Sequence, residues 1–189
     1  MIKEFQKLYT SDIQRYSDLR GGVQRWKLYI TTPGIRYSYW MRMAYSTKGS
    51  KLLKPIHIFA RLRLRHYQFK YGIQIPWHTK IGRGFYIGHF GCIVVNGATT
   101  IGKNCNISQG VTIGQANRGD RRGVATIGDG VYIGPGAKIV GKVSIGNNVA
   151  IGANAVVTKD VPDNAVVAGI PARIISLNGA TDYVNRKVE

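Results

Sequence analysis

An aliphatic residue returns every six positions between residues 127 and 157: Ile127, Ile133, Ile139, Ile145, Ile151 and Val157. Four of these precede glycine, at Gly128, Gly134, Gly146 and Gly152. A second small or β-branched set follows four residues behind, from Val131 to Val161. A period of six fits neither a helix at 3.6 nor an alternating strand at 2. It fits a solenoid with one hexapeptide per flat face and three faces per coil. The aliphatic side chain points inward and stacks on its counterpart in the next coil. Glycine serves the corners, where φ is often forbidden to other residues.

The period begins earlier and breaks twice. Ile75, Ile81, Ile87 and Ile93 form one run, and Ile101, Ile107 and Ile113 a second, displaced by two residues. Residues 114–126 read GQANRGDRRGVAT, polar, basic and without inward aliphatics. This segment reads as a loop thrown out of the coil. Loops on rigid frames are where chemistry concentrates.

The first third is different material, rich in aromatic and basic residues and without the hexad. Ser11 is placed to cap a short helix over 12–19, ended by Gly21-Gly22. Pro33 opens a second helix to about Thr47, and Pro55 a third to about Tyr71, with Gly72 as its stop. The expected organisation is a helical segment over 1–71, a β-helical domain over 72–175 and a tail over 176–189. Tyr37, Tyr39, Trp40, Trp26 and Tyr29 are expected to pack on the solenoid or on a neighbouring subunit. A rival use for them is contact with lipid headgroups.

Charge narrows the partners. Residues 1–72 hold 15 Lys and Arg against Glu4, Asp12 and Asp18, a net of +12; the remainder adds +6. Such a surface attracts anions. No helix-turn-helix, zinc-finger or RNA-binding signature is present, so nucleic acid is not expected. No apolar run reaches a membrane span, and MIKEFQKLYT lacks a secretory core. Cys92 and Cys105 alone, with no CxxC, argue for a reducing cytoplasm.

The hexads, the segment GFYIGHFGCIVV around His89 and the ending VAGIPARII resemble the hexapeptide-repeat acyltransferases of left-handed parallel β-helix fold, within them the serine acetyltransferase branch. The stretch NRGDRRGVATIGDGVYIG is similar to a subgroup associated with capsule and exopolysaccharide synthesis. The resemblance covers about Gly72–Ile175. It implies acetyl-CoA as donor, no metal, and a homotrimer with active sites between adjacent subunits.

Acetyl transfer from a thioester needs a base for the hydroxyl, a donor for the oxyanion and a proton for the departing thiolate. His89 matches the family's catalytic histidine; His57, His66 and His78 are read as structural or surface residues. The resemblance places aspartates at positions 74 and 88, where this chain has Gln74 and Gly88. Two missing carboxylates remove partners for the ammonium of serine. The expected reaction is therefore O-acetylation of a carbohydrate in cell-surface polysaccharide synthesis. Gln74, Gln109, Asn117, Asp120, Arg121 and Arg122 are the expected acceptor contacts, with Arg121 or Arg122 pairing a sugar carboxylate or phosphate. Gly134, Ala153 and Ala168 would let the pantetheine arm approach, and Lys159 and Arg173 would meet its phosphates. L-serine O-acetylation for cysteine synthesis is the alternative, and a silent polyanion-binding scaffold a further one. The basic helical segment would steer the enzyme toward acidic polymer or the inner face of the membrane.

Overall fold

The structure is a computed structural model that describes residues 2–17 and 22–189. Among the described residues four helices precede the coils: α1 Ile2–Gln14, α2 Gly22–Thr31, α3 Pro33–Thr47 and α4 Lys54–Tyr71. The helices opening at Pro33 and near Pro55 lie where the sequence puts them. Gly72 ends α4 in the left-handed conformation (φ 61°), its amide donating to Gln68 O. The first helix does not. It starts at Ile2, and Ser11 lies inside it, donating to Leu8 O at 2.6 Å and accepting the Gly84 amide at 3.0 Å. Leu19 and Gly21 of the expected helix lie outside the described residues. Helix α2 has no counterpart in the sequence reading.

Fifteen short strands then wind into three faces. The first face stacks β1 Ile73–Gln74, β4 Ile93–Val95, β7 Thr112–Gly114, β10 Lys138–Val140 and β13 Val156–Val157. The second stacks β2 Lys80–Ile81, β5 Thr100–Ile101, β8 Thr126–Ile127 and β11 Ser144–Ile145. The third stacks β3 Tyr86–Ile87, β6 Asn106–Ile107, β9 Tyr132–Ile133, β12 Ala150–Ile151 and β14 Val166–Gly169, and closes with β15 Ala172–Ser176, antiparallel to β14. All other pairings between these strands are parallel. The inward residues stack in columns, such as Ile87, Ile107, Ile133, Ile151 and Val167, all buried. Each contributes roughly 1.5–3 kcal/mol of burial.

Register locates the two breaks in the period. Ile81 pairs with Ile101 and Ile87 with Ile107, twenty residues on, whereas Val95 pairs with Ile113 at eighteen. The two extra residues sit in the corner between β3 and β4, which carries His89. Ile113 pairs with Ile139, twenty-six on, so the segment 114–126 adds eight residues to its coil.

A solenoid leaves the backbone of its first coil unpaired, an edge that must be covered. Here side chains from α1, the turn that follows it and α3 cover it. Tyr37 Oη donates to Ile75 O and accepts from its amide; Tyr16 Oη does the same at Ile87. Asp12 accepts the Phe85 amide at 2.9 Å, and Arg42 donates to the carbonyls of Ile81 and Gly82. Arg15 donates to Gly84 O and to Asn106 Oδ1. Burial pushes the Asp12 carboxyl up, against the pull of the Arg42 guanidinium at 2.9 Å. Part of the basic charge in this segment is thus structural.

The tail runs back along the corner between the second and third faces. That corner turns on Asn104, Asn148 and Asn164, all left-handed (φ 56°, 54° and 59°), a conformation asparagine tolerates. Asn104 exchanges two hydrogen bonds with Val188 at 2.8 Å, Tyr183 stacks on Tyr132 at 4.6 Å, and Arg15 Nε donates to Asn185 O. The tail is thereby tied to the turn that follows α1.

Candidate active site

His89 occupies the corner between β3 and β4, exposed beside exposed Phe90 and Cys92. Cys92 turns the corner at φ 53°. The Phe90 ring lies 5.8 Å from Tyr71, whose hydroxyl accepts from Arg36 at 2.7 Å, so α4 backs the corner. Among the described residues the His89 imidazole has no hydrogen-bond partner. Gln74, expected as an acceptor contact, is exposed on the outward side of β1, opposite Val94. It lines a recess of about 490 Å3 between α4 and β1, with Arg61, Arg65, Phe69 and Trp77.

Above His89 the same corner repeats in every coil. Gly110 donates to Gly91 O, Gly136 to Gln109 O and Asn154 to Pro135 O, all at 2.8–2.9 Å. Gln109, Gly134, Ala153 and Ala168 therefore follow His89 up one edge. Four steps of roughly 4.8 Å make that edge about 19 Å long. Arg173 pairs with Ala168 across β14 and β15 and is exposed. Gly134 has a packing reason to be glycine: a Cβ there would lie 2.7 Å from Ile151 O of the next coil.

The loop and Lys159 stand on the opposite edge of the first face. The Ala116–Gly123 antiparallel pair pins the loop's base. Arg121 Nη1 donates to both Asp160 oxygens at 2.7 and 2.8 Å, and Asp160 also accepts the Ser144 amide at 2.8 Å. These bonds, Arg121's first, hold the Asp160 carboxyl below the usual carboxylate range. Of the two arginines expected to pair an acceptor anion, Arg121 is thus engaged through Nη1 with the next coil. Asn117 accepts from Gln115 at 2.8 Å. Asp120 and Arg122 are exposed and, among the described residues, make no ion pair. Lys159, adjoining Asp160 at this corner, is separated from Ala153, Ala168 and Arg173 by the width of the face. One chain therefore holds the histidine on one edge and the loop on the other.

The remaining candidates have other contacts. His57 Nδ1 sits 3.0 Å from Ala44 O and its ring packs edge-on to Trp77; His66 and His78 are exposed beside Tyr67 and Trp77. Burial pushes the Cys105 thiol up to about 12. Among the described residues no three His, Cys, Asp or Glu side chains gather as metal ligands. Of the capping set, Tyr37 packs on the solenoid as expected, whereas Asp12, Arg15, Tyr16 and Arg42 were missed by the sequence reading. No local pattern marks these contacts, because the first-coil backbone groups they pair lie 38 to 73 residues away.

Comparisons with known proteins bear on this geometry. The bacterial transferase hexapeptide family (six repeats) matches residues 125–159. A serine acetyltransferase of Bacillus pumilus is 32% identical over 176 residues, covering 93% of this chain and 79% of the relative. The crystal structure of Brucella abortus serine acetyltransferase in complex with coenzyme A superposes with a TM-score of 0.76 at 28% identity, covering 92% of this chain and 68% of that one. Neisseria gonorrhoeae serine acetyltransferase in complex with serine gives 0.72 at 26% identity, with coverage of 92% and 70%. The fold is thus the expected left-handed parallel β-helix behind a small helical segment. The carbohydrate acceptor and the capsule subgroup are overturned, because the similarity to serine acetyltransferases runs through the helices as well as the coils. Absent carboxylates at 74 and 88 are weaker grounds than likeness over nine-tenths of the chain. A silent polyanion-binding scaffold falls with them, and the chain is an acyltransferase that belongs to the serine acetyltransferase family of hexapeptide-repeat transferases.

Proposed function

We propose that this protein is an L-serine O-acetyltransferase, moving the acetyl group of acetyl-CoA to the serine hydroxyl, a step toward cysteine. The observation that carries the reading is the 32% identity to a serine acetyltransferase over 93% of the chain. His89 accepts the hydroxyl proton as the serine oxygen attacks the thioester carbonyl. The tetrahedral intermediate collapses, the C–S bond breaks, and His89 returns the proton to the CoA thiolate. The pantetheine arm lies along the edge of Gln109, Ala153 and Ala168, with Arg173 facing its phosphates.

The site is completed by a second subunit of a homotrimer. Two features support this: among the described residues the imidazole has no partner, and the loop lies on the far edge of the first face. In addition, no Asp or Glu stands between Asp18 and Asp120, so neither the His89 coil nor α2–α4 supplies a carboxylate. In the trimer the neighbour's Asp120 meets the serine ammonium that Gln74 and Gly88 cannot hold. Its Arg122 meets the carboxylate, and Asn117 borders the pocket; Lys159 reaches the phosphates of CoA bound to the adjacent chain. Residues 1–71 act as the cap of the coils, 72–175 as the catalytic domain and 176–189 as a strap. The protein works in the cytoplasm, its basic helical segment available to an anionic membrane surface. The test is product analysis: acetyl-CoA and L-serine should yield O-acetylserine and free CoA, and acidic oligosaccharides should yield no acetylated product. Acetylated oligosaccharide without O-acetylserine would refute the proposal.

A further inference from the structure

Helices α2 to α4 combine two properties rarely joined on a free surface. Residues 22–71 carry eleven Lys and Arg and no Asp or Glu. They also leave large apolar side chains in solvent. On α2, Val23, Trp26 and Ile30 are 85%, 64% and 53% exposed. Spacings of three and four set them on one stripe of the helix. Among the described residues, none of α2 is buried.

The stripe continues across the helical segment. Trp26 stacks on Tyr29 at 5.4 Å; Trp40 donates to the Tyr29 hydroxyl at 3.1 Å and meets Phe59 edge-on at 5.5 Å. Phe59, on α4, is 55% exposed. Cations frame this band: Lys27 is exposed, and the Arg63 guanidinium sits 5.6 Å over the Trp40 ring. A recess of about 410 Å3 opens beside Trp26, walled by Tyr29, Tyr39, Trp40 and Arg25.

We propose that this face of α2, extended by Phe59, seats the protein on an anionic lipid surface. Aromatic rings with an apolar body and a polar tip, flanked by cations, suit the boundary between headgroups and acyl chains. Charge decides between occupants. A second copy set face to face would oppose this carboxylate-free segment with an equally basic one, whereas anionic headgroups neutralise it. Among the described residues no helix is long and apolar enough to cross a bilayer, so the contact lies on the surface. The inference is independent of the reaction at His89.

Flotation of the whole protein with lipid vesicles tests it. Vesicles containing phosphatidylglycerol should capture the protein at least about tenfold more strongly than phosphatidylcholine alone, and raised salt should weaken capture. Replacing Val23, Trp26 and Ile30 together by Ser should reduce capture by about tenfold or more. Oligomeric mass and serine-dependent thiol release should not change. Equal capture by both lipids, no capture at low salt, or undiminished capture of the triple variant would overturn the proposal. So would a triple variant of smaller oligomeric mass, which would mark the face as a contact between copies.

Discussion

The Tyr37 hydroxyl donates to the carbonyl of Ile75 at 2.8 Å and accepts from the amide of the same residue at 3.0 Å. One phenol from α3 thus supplies both partners that a preceding coil would have given, and burial pushes its ionisation up to about 12. Tyr37→Phe leaves a buried amide and a buried carbonyl unpaired, at a cost of about 1–3 kcal/mol each. The expected outcome is a lowered Tm and loss of hydrogen-exchange protection at Ile75, with the later coils still protected.

Asp12 and Arg42 form a pair whose side chains are 0% and 3% exposed. Asp12→Ala strands the guanidinium and should lower unfolding free energy by about 3–5 kcal/mol, read by chemical denaturation. Asp12→Ala with Arg42→Met should recover part of that loss, since the isolated charge rather than the absent pair is the damage.

Arg121 and Asp160 fasten the loop to the following coil. The Asp160 carboxyl titrates below its ordinary value in the folded state. Its contribution to stability is therefore full above the unfolded carboxylate pKa and is lost as pH falls through the folded one. The pair is exposed, so the global effect is small, up to about 1 kcal/mol. Arg121→Ala should act mainly on the loop, raising KM for serine at neutral pH with little change in Tm. Acidification toward and below the ordinary carboxylate range should raise loop amide exchange in the wild type and not in this variant.

A site assembled from two chains makes a distinctive prediction. His89→Ala and Arg122→Ala should each be poorly active alone. Co-expressed, they should form mixed trimers in which some sites pair an intact histidine with an intact loop, restoring measurable serine-dependent thiol release. Mixed trimers no more active than their parents would contradict a shared site.

The coils were legible because a six-residue period has few other physical solutions, and Pro33, Pro55 and Gly72 mark helix ends by local rules. The two-residue slip was visible as a phase change between Ile93 and Ile101; register moves it to between Ile87 and Val95, the His89 corner, because Val95 and not Ile93 continues the column of Ile113. Ser11 misled because a hydroxyl suited to a cap is equally suited to bond within a helix, as it does with Leu8. Lys159 and Arg173 read alike as late cations. Which edge each occupies depends on the corner it follows, and period alone does not tell one corner from another. Arg121 looked free because its partner Asp160 lies 39 residues on. The acceptor was misjudged from Gln74 and Gly88, since single positions in one chain say nothing of a carboxylate supplied by another.

The most direct measurement of the central claim is thiol release from acetyl-CoA with L-serine, comparing the wild type with His89→Ala. The account predicts serine-dependent release by the wild type and a fall of about 10²–10⁴-fold in kcat for the variant, with oligomeric mass and CoA affinity preserved. Release that does not depend on serine, or near-normal turnover by His89→Ala, would contradict it.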